Sequence, residues 1–216
     1  MTDFERLRHG MVDGQIRVAD VTDRRVLAAF LSVPKERFCA PGQEDLAYLD
    51  LSMPLGPAGR ASLEPRTLAK LVQLADPQQG ETALVIGCGR GYSAAILAGL
   101  VSQVVALECD SGLASAARAA LGDLPNVVVE EGPLPEGAPG SAPFDMIFVD
   151  GAVVDGYEAL GAQLSAHGRM VAPAGFGRAT KATVFRKAGT GLSTAQAFDA
   201  GGPLLPGFEA REAFAL

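Results

Sequence analysis

Three glycines and one acidic residue form the pattern in this sequence that is most able to do chemistry. Gly87, Gly89 and Gly91 follow the apolar segment 82–86, and Glu108 ends the next apolar segment, 21 positions after Gly87. Glycines at a strand-to-helix turn allow positive φ angles and let a ligand approach the backbone closely. A carboxylate at the end of the following strand can accept hydrogen bonds from both hydroxyls of a ribose. The pattern predicts an adenosine-containing ligand, and its alternative is a tight turn with a solvent-facing glutamate.

The spacing of the glycines narrows the ligand class. A dinucleotide-binding turn needs a third glycine at position 92, where this chain has Tyr92. This opposes an NAD-dependent oxidoreductase and favours the turn of S-adenosylmethionine-dependent methyltransferases. Cys88 lies inside the turn and is counted among the cofactor-binding residues. We interpret it as a small space-filling residue rather than a nucleophile, because no histidine neighbours it in sequence. Arg90 either folds over the ligand or points to water.

The elements around this turn alternate between strand and helix patterns. Strands are predicted at 82–86, 103–107, 126–129, 144–149 and 168–173, with helices at 92–100, 112–121 and 157–164. This alternation predicts an α/β fold with a doubly wound, mostly parallel sheet. Together with the glycine spacing, which resembles that of S-adenosylmethionine-dependent methyltransferases, it indicates the Rossmann-like methyltransferase class. A helical N-terminal extension with a substrate loop is predicted over 1–78, and the cofactor-binding core over 79–216, within one compact domain. Two tail segments, 183–185 and 212–214, predict a closing hairpin.

Composition excludes several classes of function. The chain has 216 residues, a net charge of −7, a mean hydropathy of +0.20 and no tryptophan. An acidic chain with few aromatic residues is not expected to bind nucleic acid, and the absence of a long apolar run argues against a membrane span. Three cysteines without paired spacing and two distant histidines predict reduced thiols, no metal site and a cytoplasmic location.

Ordered motifs along most of the chain resemble the protein-L-isoaspartate O-methyltransferase family. They cover about 170 positions and far exceed a lone glycine motif in specificity. The matching segments are Met11-Val12-Asp13-Gly14-Gln15-Ile16, Asp23-Arg24-Arg25-Val26-Leu27, Val33-Pro34-Lys35-Glu36-Arg37-Phe38, Ala47-Tyr48-Leu49-Asp50, Pro54-Leu55-Gly56, Gly87 to Tyr92, Ala142-Pro143-Phe144-Asp145, Gln163-Leu164 and Gly168-Arg169-Met170-Val171-Ala172-Pro173.

The resemblance implies S-adenosyl-L-methionine as cofactor and damaged proteins or peptides with isoaspartyl residues as partners. The implied reaction is methylation of the free isoaspartyl carboxylate, after which the ester cyclises to a succinimide that can reopen as aspartate. A carboxylate is already a nucleophile at neutral pH, so positioning rather than a strong base is required. This agrees with a chain nearly free of histidine.

The chain departs from the family pattern at several positions. Val85 stands where the family has an acidic residue, and Gly132-Pro133 replaces its Gly-Asp. In the substrate loop, the family's active-site serine falls on Ser62 when counted from Pro54 and on Leu63 when counted from Pro65. Ser62 is therefore the candidate catalytic residue and Leu63 a substrate-binding candidate. The alternative role for Ser62 is an N-cap of the helix that Pro65 enters.

Asp150 is a second substrate-binding candidate, because it follows the fourth strand at the sheet edge where ligands of α/β folds bind. The family usually has a small or hydroxyl residue there, and an added carboxylate would repel an anionic substrate. This leaves two alternatives to isoaspartyl methylation. One is a diverged methyltransferase with another acceptor, and the other is a non-catalytic binding protein that has lost cofactor affinity.

Overall fold

The N-terminal part of the chain is helical, as predicted. The structure is a computed structural model and describes residues 3–56, 59–188 and 191–210. The helices before the sheet are α1 (Phe4–Met11), α2 (Arg24–Ser32) and α3 (Pro65–Ala75), with a π-helical turn at Val12–Ile16 between the first two. Asp23 caps α2 by accepting a hydrogen bond from the Arg25 amide, and the helix ends before Val33-Pro34, where proline restricts the preceding residue.

A seven-stranded sheet with the order β3-β2-β1-β4-β5-β6-β7 forms the centre of the molecule. The first five strands are parallel, and the last two run antiparallel to their neighbours. The strands are β1 (Thr82–Ile86), β2 (Gln103–Glu108), β3 (Val127–Glu131), β4 (Phe144–Val149), β5 (Leu164–Ala174), β6 (Lys181–Ala188) and β7 (Gly191–Asp199). The doubly wound, mostly parallel sheet is thereby confirmed.

Two apolar layers cover the sheet. Ala83 and Val85 face the layer that contains α1 to α3 together with α4 (Tyr92–Ala98) and α5 (Ser111–Leu121). Leu84 and Ile86 face the opposite layer, which contains α6 (Glu158–Ala162). Burial on both faces explains why β1 reads as a continuous apolar run rather than an alternating one. In the strand order, β1 lies between β2 and β4, so the glycine turn after β1 lies at the carboxyl ends of these three parallel strands.

The structure corrects two local predictions in the second half of the chain. The helix predicted at 157–164 is shorter, because Leu164 already pairs with Phe144 in the sheet. His167, interpreted from sequence as a turn residue, therefore lies within β5. The closing hairpin exists, but β6 pairs with β7 at 191–199. The predicted partner segment 212–214 lies outside the described residues.

Candidate functional site

The turn after β1 has the backbone geometry that its glycines allow. Gly87, Gly89 and Gly91 have φ angles of +71°, +58° and +99°, which residues other than glycine rarely adopt. The amides of Gly87 and Cys88 donate to the Leu107 carbonyl at 2.9 and 3.1 Å. The turn is therefore held against the end of β2, whose last residue, Glu108, directly follows Leu107.

Glu108 binds the glycine turn from the next strand. Its side chain is fully buried, and Oε2 accepts a hydrogen bond from the Gly89 amide at 2.8 Å. Oε1 accepts from the Cys109 and Asp110 amides at 2.9 and 3.1 Å. The alternative of a solvent-facing glutamate is wrong. The carboxylate lies where a nucleoside ligand of this fold would place its ribose.

Arg60 from the substrate loop already binds this carboxylate. Its two terminal nitrogens lie 2.6 and 2.8 Å from Glu108 Oε1 and Oε2, in a bidentate pair, and the arginine is only 7% exposed. Burial works against both charges, but the pair outweighs it, so the pKa of Glu108 is lowered and that of Arg60 raised. Sequence reasoning missed this role, since 48 positions separate the two residues.

Leucine side chains cover the glycine surface. A Cβ added to Gly87 would lie 2.9 Å from the Leu205 methyl carbons, and one added to Gly89 would lie 2.7 Å from a Leu55 methyl carbon. The cavity beside the turn has a volume of only about 30 Å³, whereas ligand pockets of drug-sized molecules typically span about 300–1,000 Å³. In this conformation the residues do not fit S-adenosylmethionine: the turn and the carboxylate are in place, but Arg60 bonds both carboxylate oxygens, and Leu55 and Leu205 cover the glycine turn.

The small cavity brings together the predicted substrate-side residues. Ser62, Leu63 and Asp150 all line it, with Gly87 and Cys88 of the turn at one side. Lys35 and Tyr92 line it as well, and neither was predicted as a site residue. Ser62 and Leu63, the two residues on which the family's active-site serine can fall, both line the cavity. Their roles in catalysis and substrate binding stay predictions.

Ser62 fixes the substrate loop and does not cap α3. Its Oγ accepts from the Met53 amide at 3.1 Å, and its amide donates to the Met53 carbonyl at 2.8 Å. Glu64, not Ser62, occupies the N-cap position of α3, so the capping alternative is wrong. The hydroxyl therefore helps to hold two sides of the loop together while facing the cavity.

Asp150 contacts the first turn of α4. The Ser93 hydroxyl donates to Asp150 Oδ2 at 2.5 Å. Burial raises the pKa of Asp150 to about 6, against the opposing effects of the Ser93 hydrogen bond and the Arg60 charge. The carboxyl is thus mostly ionised at neutral pH but takes up a proton in mildly acidic solution. Ser93 gave no sequence signal, because a serine in the first turn of a helix is most often a capping or spacing residue.

The other residues of the turn are buried or bonded within the protein, and the residues that depart from the family pattern lie near the turn. Cys88 is buried, and burial raises the pKa of its thiol well above the usual value, as expected for a space-filling residue. The Arg90 Nε donates to the Cys39 carbonyl at 3.0 Å. Val85 is buried within β1, and Pro133 precedes a 3₁₀ turn whose Leu134 packs beside Gly87.

Within residues 3–56, 59–188 and 191–210, no helix has the length and apolar character needed to cross a membrane. The same part of the chain contains no group of three or more histidine, cysteine or acidic side chains placed to hold a metal ion.

Comparison with known proteins gives a consistent result. The sequence profile of the family "Protein-L-isoaspartate(D-aspartate) O-methyltransferase (PCMT)" matches residues 8–199. A protein-L-isoaspartate O-methyltransferase from Koribacter versatilis is 37% identical over 177 residues, covering 81% of this chain and 79% of the relative. One from Methanoregula boonei is 41% identical over 174 residues, covering 80% of this chain and 79% of the relative.

Solved structures share the fold. A protein-L-isoaspartate O-methyltransferase superposes with a TM-score of 0.80 at 24% identity, over 93% of this chain and 66% of that chain. A Plasmodium falciparum protein of the same description, solved with S-adenosyl-L-homocysteine, gives a TM-score of 0.77 at 15% identity, over 95% and 99% of the two chains. At these identities the superpositions establish the fold only, whereas the profile and the two sequence relatives establish more: the chain belongs to the protein-L-isoaspartate O-methyltransferase family of S-adenosylmethionine-dependent enzymes.

Proposed function

We propose that this protein methylates the free carboxylate of L-isoaspartyl residues in damaged proteins, and that Arg60 must leave Glu108 before the cofactor binds. The observation that carries the proposal is the 2.8 Å hydrogen bond between the Gly89 amide and Glu108, which fixes a carboxylate beside the glycine turn at the sheet edge. Family membership supports the same reaction and the same class of partner. The three free cysteines support the predicted cytoplasmic location.

The residues present suit a reaction governed by positioning. The cofactor of this family supplies an activated methyl group, and the acceptor carboxylate is ionised at neutral pH, so no strong base is needed. Leu63, Met53 and Phe38 form an apolar part of the cavity wall. Ser62 offers a hydroxyl in the loop, and we assign it to orienting the acceptor.

A methyl-transfer assay tests the proposal. Purified protein is incubated with radiolabelled S-adenosylmethionine and a peptide containing isoaspartate, and the control is the same peptide with normal aspartate. We expect label only in the isoaspartyl peptide, in a form released by mild base, as a methyl ester would be. Cofactor binding without labelling of the peptide would instead indicate another acceptor, the alternative that Asp150 motivates.

A non-catalytic binding protein is the second candidate function, and the Arg60–Glu108 pair is the observation that favours it. A bidentate guanidinium replaces the two ribose hydroxyls as donor to Glu108, while Leu55 and Leu205 take the neighbouring space. Calorimetric titration with S-adenosylmethionine separates the two candidates. No binding at millimolar cofactor, by the wild-type protein and by Arg60→Ala alike, would end the enzyme hypothesis.

A further inference from the structure

Lys35 is a buried cation at the wall of the cavity. It begins the 3₁₀ turn Lys35–Phe38 directly after Pro34, and its side chain is only 4% exposed. Its backbone amide donates to the Tyr48 hydroxyl at 3.2 Å, which fixes the start of the turn. Lys35 lines the cavity, and its ammonium group is buried rather than in solvent.

The Lys35 amine has no hydrogen-bond partner among the described residues. Its nearest aromatic contact is the Tyr92 ring, with Nζ 5.8 Å from the centroid, and the Tyr92 hydroxyl is also buried without a partner. Burial lowers the pKa of the amine to about 8, against the electrostatic attraction of Asp50, which makes no hydrogen bond to it. A buried ammonium without partners is costly for the folded protein, so a residue of this kind calls for an explanation outside stability.

The cavity beside Lys35 has the chemistry of a carboxylate site. Its volume of about 30 Å³ accepts a group of carboxylate size, and Ser62 contributes a hydroxyl to the same wall. Asp150, also in the wall, adds a negative charge that would repel an anionic acceptor. A lysine in the same wall compensates that repulsion and supplies up to three donors, of which none is used within the described protein.

We propose that the Lys35 ammonium binds the free carboxylate of the methyl acceptor, and so acts as a specificity-determining residue for anionic acceptors. The identity of the acceptor as an isoaspartyl peptide rests on the proposed function. The binding of a carboxylate at this position does not require that methyl transfer follows it.

The test compares Lys35→Met with Lys35→Arg, using Lys70→Met as the matched control. Lys70 lies over the Phe198 ring at 4.3 Å, outside the cavity lining, so its loss removes a lysine without touching the site. Binding of an isoaspartyl peptide is measured by calorimetry with S-adenosyl-L-homocysteine present. The same peptide with its isoaspartyl carboxylate amidated serves as a probe without the charge.

We expect Lys35→Met to weaken binding of the isoaspartyl peptide about 10- to 150-fold, the range for a lost hydrogen bond to a charged group. Binding of the amidated peptide should not change, and Lys35→Arg should keep more affinity than Lys35→Met. The Tm of Lys35→Met should rise by a few degrees, because an unpartnered buried amine is replaced by an apolar chain of similar length. A purely structural lysine would give the opposite sign in Tm.

The inference is overturned if Lys35→Met binds the isoaspartyl peptide with the affinity of wild type. It is also overturned if the Tm of Lys35→Met falls and its affinity for both peptides decreases equally. The proposed function fails separately. If wild type binds the peptide in a Lys35-dependent way but never methylates it, the methylation hypothesis falls and this inference stands. If Lys35→Met methylates the peptide with an unchanged KM, this inference falls and the methylation hypothesis stands.

Discussion

The ion pair between Arg60 and Glu108 makes an unusual prediction, in which one substitution weakens the fold and strengthens ligand binding. Arg60→Ala removes both side-chain donors from Glu108, at 2.6 and 2.8 Å. Breaking a buried pair typically costs about 3–5 kcal/mol. Glu108 keeps three backbone donors, from Gly89, Cys109 and Asp110, so we expect a loss near the lower limit, about 3 kcal/mol of unfolding free energy at pH 7.

The same substitution should raise cofactor affinity. In wild type, part of the binding free energy must be used to displace Arg60 from Glu108, which lowers the apparent affinity. If that displacement costs about 1–3 kcal/mol, its removal raises the affinity for S-adenosyl-L-homocysteine about 5- to 150-fold. Urea denaturation measures the first effect and calorimetric titration the second.

The control is Arg66→Ala, because Arg66 is half exposed and pairs with Glu64 and Asp50 at the surface. It should change the unfolding free energy by less than about 1 kcal/mol and leave the affinity unchanged. Unchanged or weaker ligand binding by Arg60→Ala, with the protein folded, would refute the view that the ion pair closes the cofactor site.

The remaining predictions concern a carboxyl group, a glycine and a second buried arginine. Asp150 is protonated below about pH 6 in the folded protein but only below about pH 4 in the unfolded chain, so wild type loses stability as pH rises through this range. Asp150→Asn does not titrate there, so its unfolding free energy should rise relative to that of wild type by up to about 3 kcal/mol. Urea denaturation curves at pH 4 and 7 check this, and a constant difference between the two proteins would contradict it. Gly89→Ala should lower the Tm more than Gly177→Ala does. Both glycines have φ near +58°, but of the two only Gly89 has a side chain, Leu55, in the space of the new methyl group. Equal Tm values for the two variants would show that Leu55 moves aside at little cost. Arg169→Met should lower the unfolding free energy by about 3–5 kcal/mol, because Glu81 loses the guanidinium group that lies 2.7 Å from its Oε1. A loss below about 1 kcal/mol in urea denaturation would show that solvent replaces the arginine.

Local sequence patterns sufficed for the elements and for the glycine turn. The apolar run of β1 and the glycines after it follow from burial on both faces and from positive φ angles, which are properties of a few neighbouring residues. The alternation of strand and helix patterns predicted the doubly wound sheet, and the glycine spacing and the family motifs predicted its class. Errors arose where a distant strand competed with a local pattern, as at Leu164, whose pairing with Phe144 shortens α6.

The content of the site was decided by tertiary structure. Arg60 and Glu108 lie 48 positions apart, Ser93 and Asp150 lie 57 apart, and Leu205 reaches Gly87 from the end of the described chain. None of these pairs has a local signature, because each joins segments that meet only after the parallel strands bring their carboxyl ends to one side of the sheet. The sequence by itself determined that a nucleoside-type turn and a carboxylate would face each other; which side chain bonds that carboxylate, and which amine is left without a partner, depended on how the chain packs around them.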